Sequence, residues 1–205
     1  VEVLLVYFAC LQSGIIFNPL NPSYSERELQ FFLSDAGTSL VIADALNLAK
    51  VGRVAKMVSS VKNVLSFEDL EHIEPIVPTQ PVVQNEPDDI AVLIYSSGTT
   101  GAPKGICISH GNLRANAVAL QKAWEFTKED VLLHVLPLYH VHGLFIVLSP
   151  ALLANTKIIL LERFDTESSV PYLKNVTLMA GVPTYYKRLL DKQSFKELSL
   201  SRMRL

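Results

Sequence analysis

The amino-acid sequence predicts an α/β fold of layered sheets and helices. Short apolar runs rich in β-branched residues alternate with segments of helical periodicity, and capping residues and glycines punctuate the boundaries between them. Hydrophobic residues make up 49% of the 205, which excludes disorder and is ample for a core.

Ser25-Glu26-Arg27-Glu28 has capping-box spacing, and Leu29, Phe32, Leu33 and Ala36 then share one helical face until Gly37 stops the helix. Ser39 to Ala43 is apolar and too short for a helix, so it reads as a buried strand. A helix is expected over Ala45 to Val58, and the aperiodic segment holding Pro75, Pro78, Pro81 and Pro87 is expected to be a linker or surface crossing. Ile90 to Tyr95 and Ile106 to Ser109 read as strands. Asn112 to Trp124 reads as a helix with Leu113, Ala117 and Leu120 on one side. Val131 to Val135, Lys157 to Leu161 and Thr177 to Ala180 read as further buried strands, separated by helical stretches at Leu144 to Ala154 and Glu167 to Lys174.

Charged residues are only 19%, below the roughly 25% usual for a soluble domain, so part of the surface is expected to be covered by more protein. The sequence opens at Val1 without Met and closes at Leu205 just after Arg202 and Arg204, and the expectation is an internal fragment of a longer chain. Lys and Arg number 18 against 20 Asp and Glu, giving a net charge of −2 with no block of one sign, which argues against a nucleic-acid partner. Cys10 and Cys107 make no disulfide or zinc pattern and suit a reducing, intracellular compartment, mitochondrial or cytoplasmic. The apolar stretch from Leu144 is interrupted by Ser149 and Pro150 and falls short of the ~20 residues a membrane span needs.

Gly98, Gly101, Gly105 and Gly111, four of the nine glycines, cluster just after the Ile90 to Tyr95 strand. Tyr95-Ser96-Ser97-Gly98-Thr99-Thr100-Gly101-Ala102-Pro103-Lys104-Gly105 combines four side-chain hydroxyls on Ser and Thr, backbone N–H groups freed by glycine, and one cation. Phosphate oxygens leaving water need many donors and positive charge, and this stretch supplies both. A flexible turn would need neither the hydroxyls nor a lysine fixed behind a proline. A Walker P-loop fails, because it would require glycine at Pro103 and Ser or Thr at Gly105. The glycine spacings do not make GxGxxG, which disfavours a Rossmann dinucleotide loop.

Tyr95 to Gly105, followed by Ser109-His110-Gly111-Asn112-Leu113, resembles the phosphate-loop signature of the AMP-binding, adenylate-forming enzymes, which include acyl-CoA synthetases and luciferases. Leu136-Pro137-Leu138-Tyr139-His140-Val141-His142-Gly143 is similar to that family's Pro-x-x-His-x-x-Gly segment, and Gly181-Val182-Pro183-Thr184-Tyr185 to its Val-Pro-Thr opening of the next helix. The resemblance implies residues 1–205 of a large N-terminal domain, incomplete here. The small C-terminal domain with its catalytic Lys, the Tyr-Gly-x-Thr-Glu segment and the ribose-binding Asp do not occur in this sequence. It further implies a ligase using ATP, Mg²⁺ and coenzyme A, with Ser96, Ser97, Gly98, Thr99, Thr100, Gly101, Ala102, Pro103 and Lys104 binding the nucleotide and Lys104 and Thr99 serving catalysis. The fragment alone is expected to be inactive.

His140 and His142 lack the third ligand a metal site needs, so no metal is expected there. Pro137 to Phe145 together with Arg163-Phe164-Asp165 resembles the malonyl-CoA synthetase branch, which implies a small carboxylic acid substrate, malonate or methylmalonate, with His140 and His142 lining the acyl pocket. A desolvated second carboxylate needs a donor or cation, and an imidazole can be either. His134, on an apolar strand, reads as a packed core histidine, and Cys107 as a small core residue. A medium- or long-chain acyl-CoA synthetase and a non-catalytic nucleotide-binding relative stay open as alternatives.

Overall fold

The computed structural model describes residues 2–72, 83–96 and 103–205 and divides into two units, Val1–Ile108 and Ser109–Leu205. In the first, the apolar stretch after Val1 lies in helix α1 (Glu2–Ser13). Phe17 then bridges to Val92, with the Phe17 N–H donating to the Ala91 carbonyl at 2.9 Å. Helix α2 (Glu26–Asp35) starts on the Ser25–Glu28 capping box and ends at Gly37, whose φ of +58° lets the Thr38 N–H reach back to the Leu33 carbonyl at 3.0 Å. Strand β1 (Leu40–Ala43), helix α3 (Ala45–Ala55), strand β2 (Asn63–Ser66) and helix α4 (Phe67–Glu71) follow. β1 and β2 run parallel, Leu40 opposite Asn63 and Ala43 opposite Ser66. The core beneath them is Leu29, Leu33, Ala43, Val51, Val54 and Val58.

Helix α3 stops at Ala55 rather than at Val58, because the Met57 and Val58 amides turn back to the carbonyls of Val54 and Ala55. Pro75, Pro78 and Pro81 lie outside the described residues. Strands β3 (Ile90–Ser96) and β4 (Lys104–Ser109) pair as a second two-stranded sheet, with β4 beginning earlier than its apolar run suggests.

The second unit opens with helix α5 (His110–Ala123), capped reciprocally by Ser109 and Asn112. Its C-terminus closes with the Phe126 N–H on the Gln121 carbonyl at 3.0 Å, which forces Glu125 to φ +53°. Strand β5 (Val131–His134) is central, flanked in parallel by β6 (Lys157–Leu160) and β7 (Leu178–Met179). Successive side chains point to opposite faces, so Leu132 joins a core with Phe126, Val147 and Leu178, while Leu133 joins another with Val170, Leu173 and Leu189. That two-sided burial explains the unbroken apolar run.

The single helix expected over Leu144 to Ala154 is instead a π-helix (His142–Leu148) followed by helix α6 (Ser149–Leu153). Helices α7 (Thr166–Leu173), α8 (Pro183–Leu190) and α9 (Gln193–Lys196) complete the unit. Asp130, 4% exposed, directly precedes β5 and accepts from two of the three Arg204 guanidinium nitrogens, Nε at 2.9 Å and Nη2 at 2.6 Å, besides the Thr177 hydroxyl at 2.7 Å. The Arg204 guanidinium therefore holds the Asp130 carboxyl well below the usual carboxylate range.

Candidate functional site

In the first unit, the ends of β3 and β4 bracket the hydroxyl-rich stretch. Ser96 closes β3 half-buried, and Lys104 opens β4 with an exposed side chain. Ser97, Gly98, Thr99, Thr100, Gly101 and Ala102 lie outside the described residues, and Pro103 directly precedes β4. Tyr95 anchors the outgoing strand, since its ring packs on Phe32 at 4.6 Å and its hydroxyl donates to the Asp35 carboxylate at 2.7 Å. Burial, then that hydrogen bond, pushes the Tyr95 hydroxyl above its ordinary pKa, so it stays protonated as a donor. Gly105 lets β4 pass close, because a Cβ there would stand 3.1 Å from Leu93 and 3.4 Å from the Tyr95 ring. Cys107, expected in the core, is exposed on β4.

In the second unit, the Pro137 to Gly143 segment has a clear geometric logic. The His140 N–H donates to the Pro137 carbonyl at 3.3 Å, folding the chain so tightly that a Cβ on Gly143 would lie 2.3 Å from that same oxygen. Only glycine fits there, and the π-helix begins at this pinch. π-Helical segments are rare and concentrate at functional sites.

A cavity of about 240 Å³ opens here, with His142 on its wall beside apolar groups that include Phe126, Leu132, Val147 and Leu178, and with Tyr186 from α8. His140 is exposed, its ring tilted against that of Tyr139 with centroids 4.6 Å apart, and is not among the residues lining that cavity. The structure thus puts one of the two expected acyl-pocket histidines on the cavity wall. Gly181 lines the cavity as well, and its neighbour Tyr185 stacks flat on Phe164 at 3.9 Å, so two stretches far apart in sequence meet beside it. Asp165 caps α7 by accepting from the Ser168 N–H, which gives the Arg163-Phe164-Asp165 stretch a structural task.

His134 is the packed core histidine that its apolar strand suggests. It is 1% exposed, and its Nε2 lies 3.0 Å from the Gly143 carbonyl oxygen. Burial lowers its pKa, and the nearby His142 adds to that, so the ring is neutral. The apolar residues around it in the sequence hide this link.

An α/β chain whose paired strands bracket a Ser/Thr/Gly stretch, and whose π-helix opens on Pro-x-x-His-x-x-Gly, has the makeup of an adenylate-forming enzyme. The family model of AMP-binding enzymes matches residues 1–205, and the chain belongs to that family. It is 32% identical over 200 residues to the mitochondrial malonate–CoA ligase ACSF3 of Mus musculus, covering 93% of this chain and 34% of that protein. It is likewise 32% identical over 204 residues to a feruloyl-CoA synthase of Amycolatopsis sp, covering 96% of this chain and 39% of that one. Among solved structures, ATP-bound MatB from Rhodopseudomonas palustris superposes with a TM-score of 0.89 at 33% identity, covering all of this chain and 41% of MatB. The chain therefore spans between about a third and two fifths of these relatives' lengths. Malonate–CoA ligases stand among its most similar relatives, in keeping with the malonyl-CoA synthetase branch.

Proposed function

We propose that these residues are part of the large N-terminal domain of an acid–thiol ligase that activates a small dicarboxylate, malonate or methylmalonate, with ATP and passes the acyl group to coenzyme A. In the first step a carboxylate oxygen attacks the α-phosphorus, the bond to the β-phosphate breaks, and pyrophosphate leaves. In the second, the thiol sulfur attacks the acyl carbon, AMP departs with the carbon–oxygen bond electrons, and the thiol proton passes to solvent. Carboxylates are poor electrophiles, and coupling to AMP supplies the leaving group.

The observation that carries this reading is the Ser96–Lys104 stretch, whose two ends stand on paired strands of a chain in the AMP-binding family. Lys104, with Thr99 and the other hydroxyls and amides of that stretch, would offset the charge on the departing pyrophosphate. Mg²⁺ would arrive with the phosphates, since it keeps several waters and takes one or two carboxylates plus phosphate oxygens. Among the described residues no group of three His, Cys, Asp or Glu could cage a metal by itself. An intracellular location, mitochondrial or cytoplasmic, belongs to the same reading. No helix among the described residues is long and apolar enough to cross a membrane.

Acid-dependent pyrophosphate exchange tests this. Lys104→Ala should lower the rate by about a hundredfold, the loss typical when a donor to developing anionic charge is removed. An unchanged rate in a folded variant would overturn the assignment. The chiefly apolar wall of the cavity favours a second reading, a medium- or long-chain acyl-CoA synthetase, because each buried methylene gains ~0.8 kcal/mol. Rates with malonate, methylmalonate and octanoate separate the two.

A further inference from the structure

We propose that His134 is a positioning residue for the acyl pocket. Its imidazole holds the start of the π-helix through the Gly143 carbonyl and so sets where His142 stands on the cavity wall. The inference rests on reading that cavity as the acyl pocket, and it concerns a residue outside all three family motifs.

A carbonyl oxygen can only accept, so at 3.0 Å the Nε2 of His134 carries the hydrogen and donates it to Gly143. In the neutral ring Nδ1 is then a bare lone pair. It is buried, without a hydrogen-bond partner among the described residues. Nothing in packing requires that arrangement, because Leu132, Leu133, Val135 and Leu136 around it are aliphatic and equally buried. A leucine would fill the site without stranding a polar atom. What the imidazole adds is one directed bond at the residue next to His142.

Gly143 is constrained from its other side too, where any Cβ would run into the Pro137 carbonyl at 2.3 Å. Held between the His134 donor and that oxygen, the backbone at Gly143 has little room to shift. His142, one residue earlier, begins the π-helix and reaches the cavity from this fixed point. A hydrogen bond to a second carboxylate demands placement within a few tenths of an ångström, whereas contact with an alkyl tail does not.

The test uses the complete ligase with His134→Gln, whose amide nitrogen can stand near the position of Nε2, His134→Asn, whose amide stops short of it, and His134→Leu. His134→Leu should lower kcat/KM for malonate about tenfold, mostly through KM, while leaving butyrate unchanged. His134→Gln should restore most of the loss and His134→Asn should not. Combined with His142→Leu, His134→Leu should cost nothing further, because both act through one ring. Equal losses for both acids, or full additivity, would overturn the proposal. A wild-type enzyme preferring octanoate would sink the dicarboxylate reading alone. The tether is then judged by histidine ring ¹³C–¹H resonances: the His142 signal should move in His134→Leu and hold in His134→Gln, and no movement in either would overturn it.

Discussion

Replacing Arg204 by Met should destabilise the protein by about 2–3 kcal/mol at neutral pH, a figure that follows from the hydrogen bonds the substitution removes. Arg204 donates to both Asp130 oxygens and also to the carbonyls of Trp124 at 2.9 Å and Glu125 at 2.7 Å. Removing one partner of a buried pair costs about 3–5 kcal/mol when the other charge is left unmet. Two facts reduce that. The Arg204 side chain is 36% exposed, so water screens the pair, and Asp130 keeps the Thr177 hydroxyl together with the N–H and hydroxyl of Thr127. Urea unfolding of the two proteins from pH 7 to pH 2 is the assay. Because the folded Asp130 pKa is depressed, its contribution is complete above the unfolded value of about 4 and is lost as pH falls toward the folded one. The Arg204 pKa is raised, first by its hydrogen bond to Asp130, so its contribution is complete throughout this acidic window and has no bearing on the pH dependence there. The gap between wild type and Arg204→Met should therefore narrow below pH 4. A variant of equal stability at pH 7, or a gap constant down to pH 2, would refute the account of this clamp.

Gly143→Ala should cost about 1–3 kcal/mol in unfolding experiments, since the new methyl meets the backbone oxygen of Pro137 rather than a side chain that can swing away. Wild-type stability there would mean the pinch at the π-helix is looser than the geometry implies. Glu125→Gly should stabilise by about 0.5–1 kcal/mol, because glycine relieves the φ of +53° and the Arg204 bond goes to the backbone carbonyl, which the substitution keeps. A lower thermal midpoint would count against that sign.

Elements whose signal is local are readable in the sequence. The Ser25–Glu28 capping box and the Gly37 stop depend on neighbours along the chain, and the structure matches them. The run Val131 to His134 is apolar because both its faces are covered, and it forms the central strand. Features made by distant residues are not readable. Arg204 reads as half of a basic pair at the chain's end, and nothing near it in sequence points to Asp130, its partner across the sheet. The π-helix escapes for another reason: its apolar sequence is equally good for an α-helix, and the Gly143 close approach and the His134 bond at its start join residues that the local pattern does not connect. His140 and His142 look equivalent as two imidazoles in one motif, yet one of them reaches the cavity and the other is exposed.

On the proposed ligase reading, that separation bears on which acid would be taken. An ionised carboxylate moved into the apolar part of the cavity would forfeit hydration worth several kcal/mol with nothing to replace it. On the proposed reading a short dicarboxylate would place its second charge against His142, and the apolar wall beyond would stay empty or take an alkyl substituent. A fatty acid reverses the logic, gaining with each methylene laid on Leu132, Val147 and Leu178 and gaining nothing from His142. The two readings thus use the same cavity but different parts of its wall. On the proposal that His134 fixes His142 through Gly143, its loss would matter more to an acid held by His142 than to one laid on the apolar wall, which makes the tether itself informative about the substrate.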